Sequence, residues 1–229
     1  MAVKFLQRLT FLRRVTRKLG LNRFIFKLFY RGNSYEEKFD KSFNDLLFSN
    51  YCVYDIGANI GHYTKAFSEK VGKGGFVLAF EPSKINFDKL ENNIQIYSNI
   101  EALNIAVGAE EAVLTLCQGA DEIGATSIII SDVNGVGQIT NVFPLDKIVV
   151  GRSFPNAIKI DVEGYEIEVL KGALNTLKDQ RLKLLGIEVH FSLLEAKNVK
   201  NVKGIIEKIL KNSGFKIMWT DFSHIIATR

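Results

Sequence analysis

Cysteine, proline, tryptophan and histidine are scarce in this 229-residue chain, at two, three, one and three residues. Cys52 and Cys117 cannot build a disulfide framework or a four-cysteine metal site. Both lie in apolar, strand-like runs and read as buried thiols in a reducing compartment, so a cytoplasmic location is expected. Long apolar runs are also missing. The longest stretch without Asp, Glu, Lys or Arg is 133–145, and it is rich in Asn, Gly and Gln. No segment is expected to span a bilayer, and no secretory signal is expected. Internal repeats and low-complexity linkers are absent too. What is present is ordinary globular composition, 47% hydrophobic and 24% charged. That excludes a disordered or fibrous chain and suits one α/β domain, or at most two small ones.

Acids are missing from the first 31 residues, which carry nine bases. The rest holds 21 bases against 25 acids, so the net charge of +5 belongs to the N-terminal arm and not to the body. Phe5, Leu9, Leu12, Val15 and Leu19 recur at helical spacing, with most bases off that stripe and Gly20 as a stop signal. Phe24, Ile25, Phe26, Leu28 and Phe29 follow as a second apolar cluster. Residues 1–31 therefore read as a basic amphipathic helical arm, and residues 32–229 as one domain. The arm could pack on its own domain with a solvated basic face. It could instead lie on an anionic membrane or bind a nucleic-acid backbone. Its aromatics favour lipid over phosphate, so a peripheral place at the inner membrane face is a possible location.

From Tyr51 onward, strand-like runs alternate with helical patterns. Strands are expected at Cys52–Ile56, Phe76–Phe80 and Ala102–Val107, and helices at His62–Val71 and Ser83–Tyr97, the latter capped by Ser83. Val113–Cys117, Thr126–Ile130 and Gln138–Phe143 read as an antiparallel β insertion with no helical pattern between Gly108 and Val150. Alternation resumes with strand Ala157–Ile160, helix Glu163–Leu177, strand Leu184–Val189 and helix Val199–Asn212. Phe215–Trp219 and Ile225–Thr228 close as a possible hairpin. This order implies a mostly parallel sheet with helices on both faces.

The most informative segment is Val53-Tyr54-Asp55-Ile56-Gly57-Ala58-Asn59-Ile60-Gly61-His62. A buried strand ends near an acid, enters a glycine-rich turn and opens a helix, the place where open α/β sheets bind ligands. A dinucleotide turn would read G-x-G-x-x-G. Here the second and third glycine positions are Asn59 and His62, and Asp55 would oppose a phosphate. An acid there suits a cationic ligand such as S-adenosylmethionine, which carries an ammonium and a sulfonium. Glu81 ends the next strand in Phe80-Glu81-Pro82-Ser83, where a carboxylate can accept both hydroxyls of a ribose. The alternative for Glu81 is an exposed strand-end charge.

These motifs, with Ile158-Lys159-Ile160-Asp161-Val162-Glu163-Gly164-Tyr165-Glu166-Ile167-Glu168-Val169-Leu170-Lys171-Gly172-Ala173 and Ile187-Glu188-Val189-His190, resemble the FkbM family over roughly residues 50–228. These are S-adenosylmethionine-dependent class I methyltransferases. The resemblance implies a Rossmann-like α/β fold: a mostly parallel seven-stranded sheet with its last strand antiparallel, helices on both faces and a β insertion after the third strand. It also implies methyl transfer to a hydroxyl of a sugar, glycolipid or other secondary metabolite. Cofactor contacts are expected from Asp55, Gly57, Ala58, Asn59, Gly61 and Glu81. Many class I enzymes carry an acid after the third strand that meets the adenine amine. This chain reads Ala106-Val107-Gly108 there, leaving Ser83 and the backbone near Val107 as candidates.

Methyl transfer needs an aligned acceptor and a group to take its proton. Asp161 and Glu163 follow one strand at i, i+2 spacing, and His190 ends the neighbouring strand with an ordinary pKa near ~6.5. These three are the candidate bases. Each has a plainer reading: a helix-dipole partner for Glu163, a cofactor or substrate contact for Asp161, an internal hydrogen bond for His190. Glu166 and Glu168 read as solvated helix charges. Asp161, Glu163, Glu188 and His190 could alternatively hold magnesium, but no tight ligand spacing supports a metal. A nucleic-acid methyltransferase is disfavoured, because exocyclic-amine enzymes carry D/N-P-P-Y/F where this chain reads Asp161-Val162-Glu163-Gly164. A non-catalytic membrane module on the same scaffold is the remaining alternative.

Overall fold

The computed structural model describes residues 34–118, 127–130 and 137–229. The basic arm and much of the 118–137 loop therefore lie outside the described residues. The chain divides into two units, Met1–Glu37 and Lys38–Arg229. Among the described residues, no helix is long and apolar enough to cross a membrane.

Seven strands form the main sheet: β1 (Cys52–Ile56), β2 (Phe76–Phe80), β3 (Ile100–Leu103), β8 (Ala157–Ile160), β9 (Leu184–Glu188), β10 (Lys216–Trp219) and β11 (His224–Thr228). Their order is β10-β11-β9-β8-β1-β2-β3. Only β11 runs against its neighbours, pairing antiparallel with both β9 and β10. This is the expected class I arrangement. All five residues of β1 are buried, as a parallel strand covered on both faces requires.

Alternation along each strand splits the core. Tyr54, Ile56, Leu78, Ile160 and Ile187 share one face with Leu170 of α5 (Glu166–Lys171) and Leu210 of α7 (Val202–Asn212). Val53, Val77 and Ile226 share the other with Phe39 and Phe43 of α1 (Ser34–Asp45) and Phe67 of α2 (His62–Val71). Helix α3 (Lys84–Ile94) covers the β2–β3 end, and Ser83 caps it by accepting the Asn86 N–H at 3.4 Å.

The structure departs from the sequence expectations at several points. The third strand is two. Its first half stays in the main sheet as β3, and β4 (Ala106–Val107) leaves it to begin a second sheet. That sheet, β4-β7-β5-β6, adds β5 (Ala112–Gln118), β6 (Ser127–Ile130) and β7 (Gln138–Phe143). It is mixed, not wholly antiparallel, because β4 runs parallel to β7. A short helix, α4 (Leu145–Ile148), follows where no helix was expected, as does α6 (Phe191–Ala196) after β9. The helix expected over 163–177 begins only at Glu166, because Glu163 and Gly164 take φ of 48° and 82°, outside helical geometry. Cys52 is buried, but Cys117 is only partly so.

Candidate active site

Where β1, β2 and β8 end, their carboxyl edges open into a cleft lined by Gly57, Asn59, Glu81, Val107, Asp161 and Glu163 among others. The expected cofactor residues divide here. Gly57, Asn59, Glu81 and Val107 face the cleft, whereas Asp55, Ala58, Gly61 and Ser83 are not on its walls. Asn86 and Ile105 are on the walls and were not expected. Both lie outside the strand-end motifs, and only the folding of α3 and the β3–β4 turn brings them in.

Gly57 explains the turn. At φ 88°, a Cβ there would stand 1.8 Å from the Asp161 carbonyl oxygen. The glycine is demanded by the approach of the β8 end, more than by any ligand. Asn59 takes φ of 50°, which asparagine tolerates, and its N–H donates to Glu81 Oε2 at 2.8 Å. The Ser83 N–H donates to Glu81 Oε1 at 2.9 Å. Both carboxylate oxygens are thus aligned by backbone, and each retains a second lone pair. Burial pushes the Glu81 carboxyl up to about 7, against the pull of those two N–H groups. The second sheet helps to fix this edge. Gln138 on β7 donates to the Pro82 carbonyl at 2.8 Å and accepts the Lys84 N–H at 2.7 Å. Asn104 donates to the carbonyl of Glu81 at 2.8 Å.

Asp55 lies beneath the turn, wholly buried. It is the penultimate residue of β1, so its side chain points away from the face of Ile56 and toward α2. Oδ2 accepts the Thr64 hydroxyl at 2.6 Å, and Oδ1 has no hydrogen-bond partner among the described residues. Opposite it in register stands Lys159, also buried. The Lys159 ammonium donates to Asp161 Oδ2 at 3.0 Å and sits 4.3 Å from the Tyr63 ring centre. Burial works against that charge, but Asp161 and Asp55 outweigh it and hold the Lys159 pKa above the ordinary value. Burial raises Asp55, more than Lys159 and Thr64 lower it. Asp161 ends lowered, since Lys159 and His190 overcome its burial.

The three candidate bases do meet. His190 Nε2 lies 3.3 Å from Glu163 Oε2 and 3.9 Å from Asp161 Oδ1. Glu188 Oε1 stands 3.8 Å from the same nitrogen. The other ring nitrogen, Nδ1, is 2.7 Å from Glu166 Oε1. Glu166 is fully buried, so the reading of it as a solvated charge is wrong. It is in helical phase with buried Val169, Leu170 and Ala173, and that periodicity was the available signal. Burial lowers the imidazole pKa, but Glu166, Glu163 and Asp161 overcome it and push His190 up to about 9. Burial raises Glu163.

One ligand atom from each of Asp161, Glu163 and His190 lies within 4.8 Å of the others. A cation could span that distance. However, Asp161 Oδ2 already holds the Lys159 ammonium, and a charged imidazole has no lone pair to give.

A family model described as the methyltransferase FkbM domain matches residues 55–226. Hexuronic acid methyltransferase AglP of Haloferax volcanii is 28% identical over 148 residues, covering 60% of this chain and 55% of that protein. Methyltransferase 1 of Beauveria bassiana is 24% identical over 188 residues, 72% of each chain. The crystal structure of a methyltransferase FkbM from Methylobacillus flagellatus superposes with a TM-score of 0.55 at 21% identity, over 80% of this chain and 45% of that one. This chain thus spans about half the length of two of these proteins. With its matched region running from Asp55 on β1 to Ile226 on β11, the chain belongs to the FkbM methyltransferase domain family.

Proposed function

We propose that this chain is an O-methyltransferase acting on a hydroxyl of a sugar, glycolipid or related secondary metabolite. Its methyl donor is S-adenosylmethionine, which when bound supplies a methyl group activated on a sulfonium. The observation that carries the reading is Glu81. A buried carboxylate whose two oxygens are each set by a backbone N–H, beside a glycine turn, is shaped to accept the two hydroxyls of a ribose. Ile105 and Val107 offer apolar surface for a base on one side. Asp161 and Glu163 face the cleft at the β8 end, where an acceptor would meet the methyl group. A relative named for hexuronic acid methylation supports a sugar acceptor.

His190 holds a proton at neutral pH, so the free base is a carboxylate. Glu163, made more basic by burial against the pull of the imidazolium beside it, takes the acceptor proton. The test is a transfer assay with labelled donor against sugar, lipid and phenol acceptors, run beside Glu163→Gln. Transfer to sugar hydroxyls, lost in the variant, is expected. Folded protein without donor affinity in calorimetry would refute the reading.

Donor affinity should rise with pH. Glu81, raised to about 7, must be ionised to accept two hydroxyls, and His190, raised to about 9, repels a cationic donor while charged. Below pH 7 affinity should fall by up to about tenfold per unit, as one linked proton requires. Calorimetric titrations from pH 5.5 to 8.5 check this, and a flat profile contradicts it.

A further inference from the structure

The contact between Glu166 and His190 has a use beyond holding α5 to the end of β9. Glu166 Oε1 meets His190 Nδ1 at 2.7 Å and also accepts the Gly164 N–H at 2.9 Å. The carboxylate is therefore fixed from its own turn before it meets the ring. Oε2 is buried with no hydrogen-bond partner among the described residues. Burying a half-satisfied carboxylate costs stability, and such groups mark places where a polar contact is kept for another reason. The ring nitrogen left over, Nε2, points to the cleft carboxylates at 3.3 and 3.9 Å. Rotating the imidazole by half a turn would break the Glu166 contact and withdraw Nε2 from Glu163.

We propose that Glu166 is a positioning residue: it clamps His190 through Nδ1 so that Nε2 is always presented to Glu163 and Asp161. The proposal rests on the methyltransferase reading for its purpose, but the geometry does not depend on it. When neutral, the ring must keep its proton on Nδ1, because Glu166 can only accept there. The proton gained and lost on titration is therefore the one on Nε2, next to the carboxylate that takes the acceptor proton. The charged groups around the ring are Glu166 from α5, Asp161 and Glu163 after β8, and Glu188 of β9. His224 of β11 faces Glu188 from beyond at 3.5 Å, and the Lys197 ammonium donates to the Gly164 carbonyl at 2.9 Å.

Long-range ¹H–¹⁵N spectroscopy of the full chain, without donor, reads the test. In the wild type the neutral His190 ring should show its proton on Nδ1, and titration should occur well above ~6.5. Glu166→Gln should lower that midpoint by at least about one unit and mix the two tautomers. Glu166→Asp, which keeps the charge, should restore most of the midpoint. In transfer assays Glu166→Gln should lower kcat about tenfold or more with the donor KM unchanged, the mark of a lost orientation and not of lost binding. A wild-type ring protonated on Nε2, or a folded Glu166→Gln protein with an unmoved midpoint and tautomer, overturns the proposal. Should either variant fail to fold, the wild-type tautomer still decides. Donor calorimetry is scored separately: failure there removes the methyltransferase reading and leaves the clamp standing.

Discussion

Replacing Glu81 with glutamine is expected to weaken S-adenosylmethionine binding by about two to four orders of magnitude. Two hydroxyl hydrogen bonds to a carboxylate are lost or turned neutral, and bonds to charged groups are worth about 1.5–3 kcal/mol each. At ~1.4 kcal/mol per tenfold, their sum spans that range. A local effect adds to it. An amide offers one oxygen where Glu81 uses two, so its NH₂ would face either the Asn59 or the Ser83 N–H, donor against donor. The turn and the cap of α3 would loosen together. Glu81→Asp keeps the charge but draws it back from both N–H groups, and an intermediate loss is expected. Calorimetry on protein shown to be folded by circular dichroism measures this, and a Glu81→Gln affinity within tenfold of wild type would remove Glu81 from the donor site.

Lys159→Met should destabilise the fold by about 3–5 kcal/mol, the usual cost of stripping one partner from a buried charge group. Lys159 and Asp55 are both essentially without exposure and stand opposite one another on β8 and β1. Asp161 takes the ammonium at 3.0 Å. Methionine fills most of the space but takes from Asp55 and Asp161 the ammonium they share, leaving Asp161 with His190 and Asp55 with the Thr64 hydroxyl. Adding Asp55→Asn should recover part of the loss, since the second change removes one of the stranded charges. Urea unfolding of the single and double variants reads both numbers. A single-variant loss under about 1 kcal/mol would mean that Lys159 is not the counter-ion the geometry suggests.

The same group shows how motifs mislead when read one residue at a time. Asp55 in the glycine-turn motif invites a role as a ligand contact, yet strand alternation turns it under the sheet edge, where it answers Lys159. Glu81 faces the cleft because it lies just past the end of β2, its backbone held by Leu103 and Asn104 and its carboxylate by the Asn59 and Ser83 N–H groups. His190 was legible as a strand-end histidine near two acids. Its charge was not, since a pKa of about 9 arises from Asp161 and Glu163 in the turn after β8 together with the buried Glu166 of α5.

By itself the sequence determined the main alternation of strands and helices, the ends of β1, β2 and β8, and the family, because apolar periodicity and short motifs are local and survive without coordinates. It also placed Asp161, Glu163 and His190 in one neighbourhood, through the rule that parallel strands end on the same edge. The tertiary structure alone decided which of those residues face the cleft, why Gly57 must be glycine, and which charges surround His190. Each of these depends on what approaches from another strand: a carbonyl at 1.8 Å from an absent Cβ, an ammonium across the register, a carboxylate on the next helix. Such approaches are set by the packing of elements distant in the chain, and no local pattern records them.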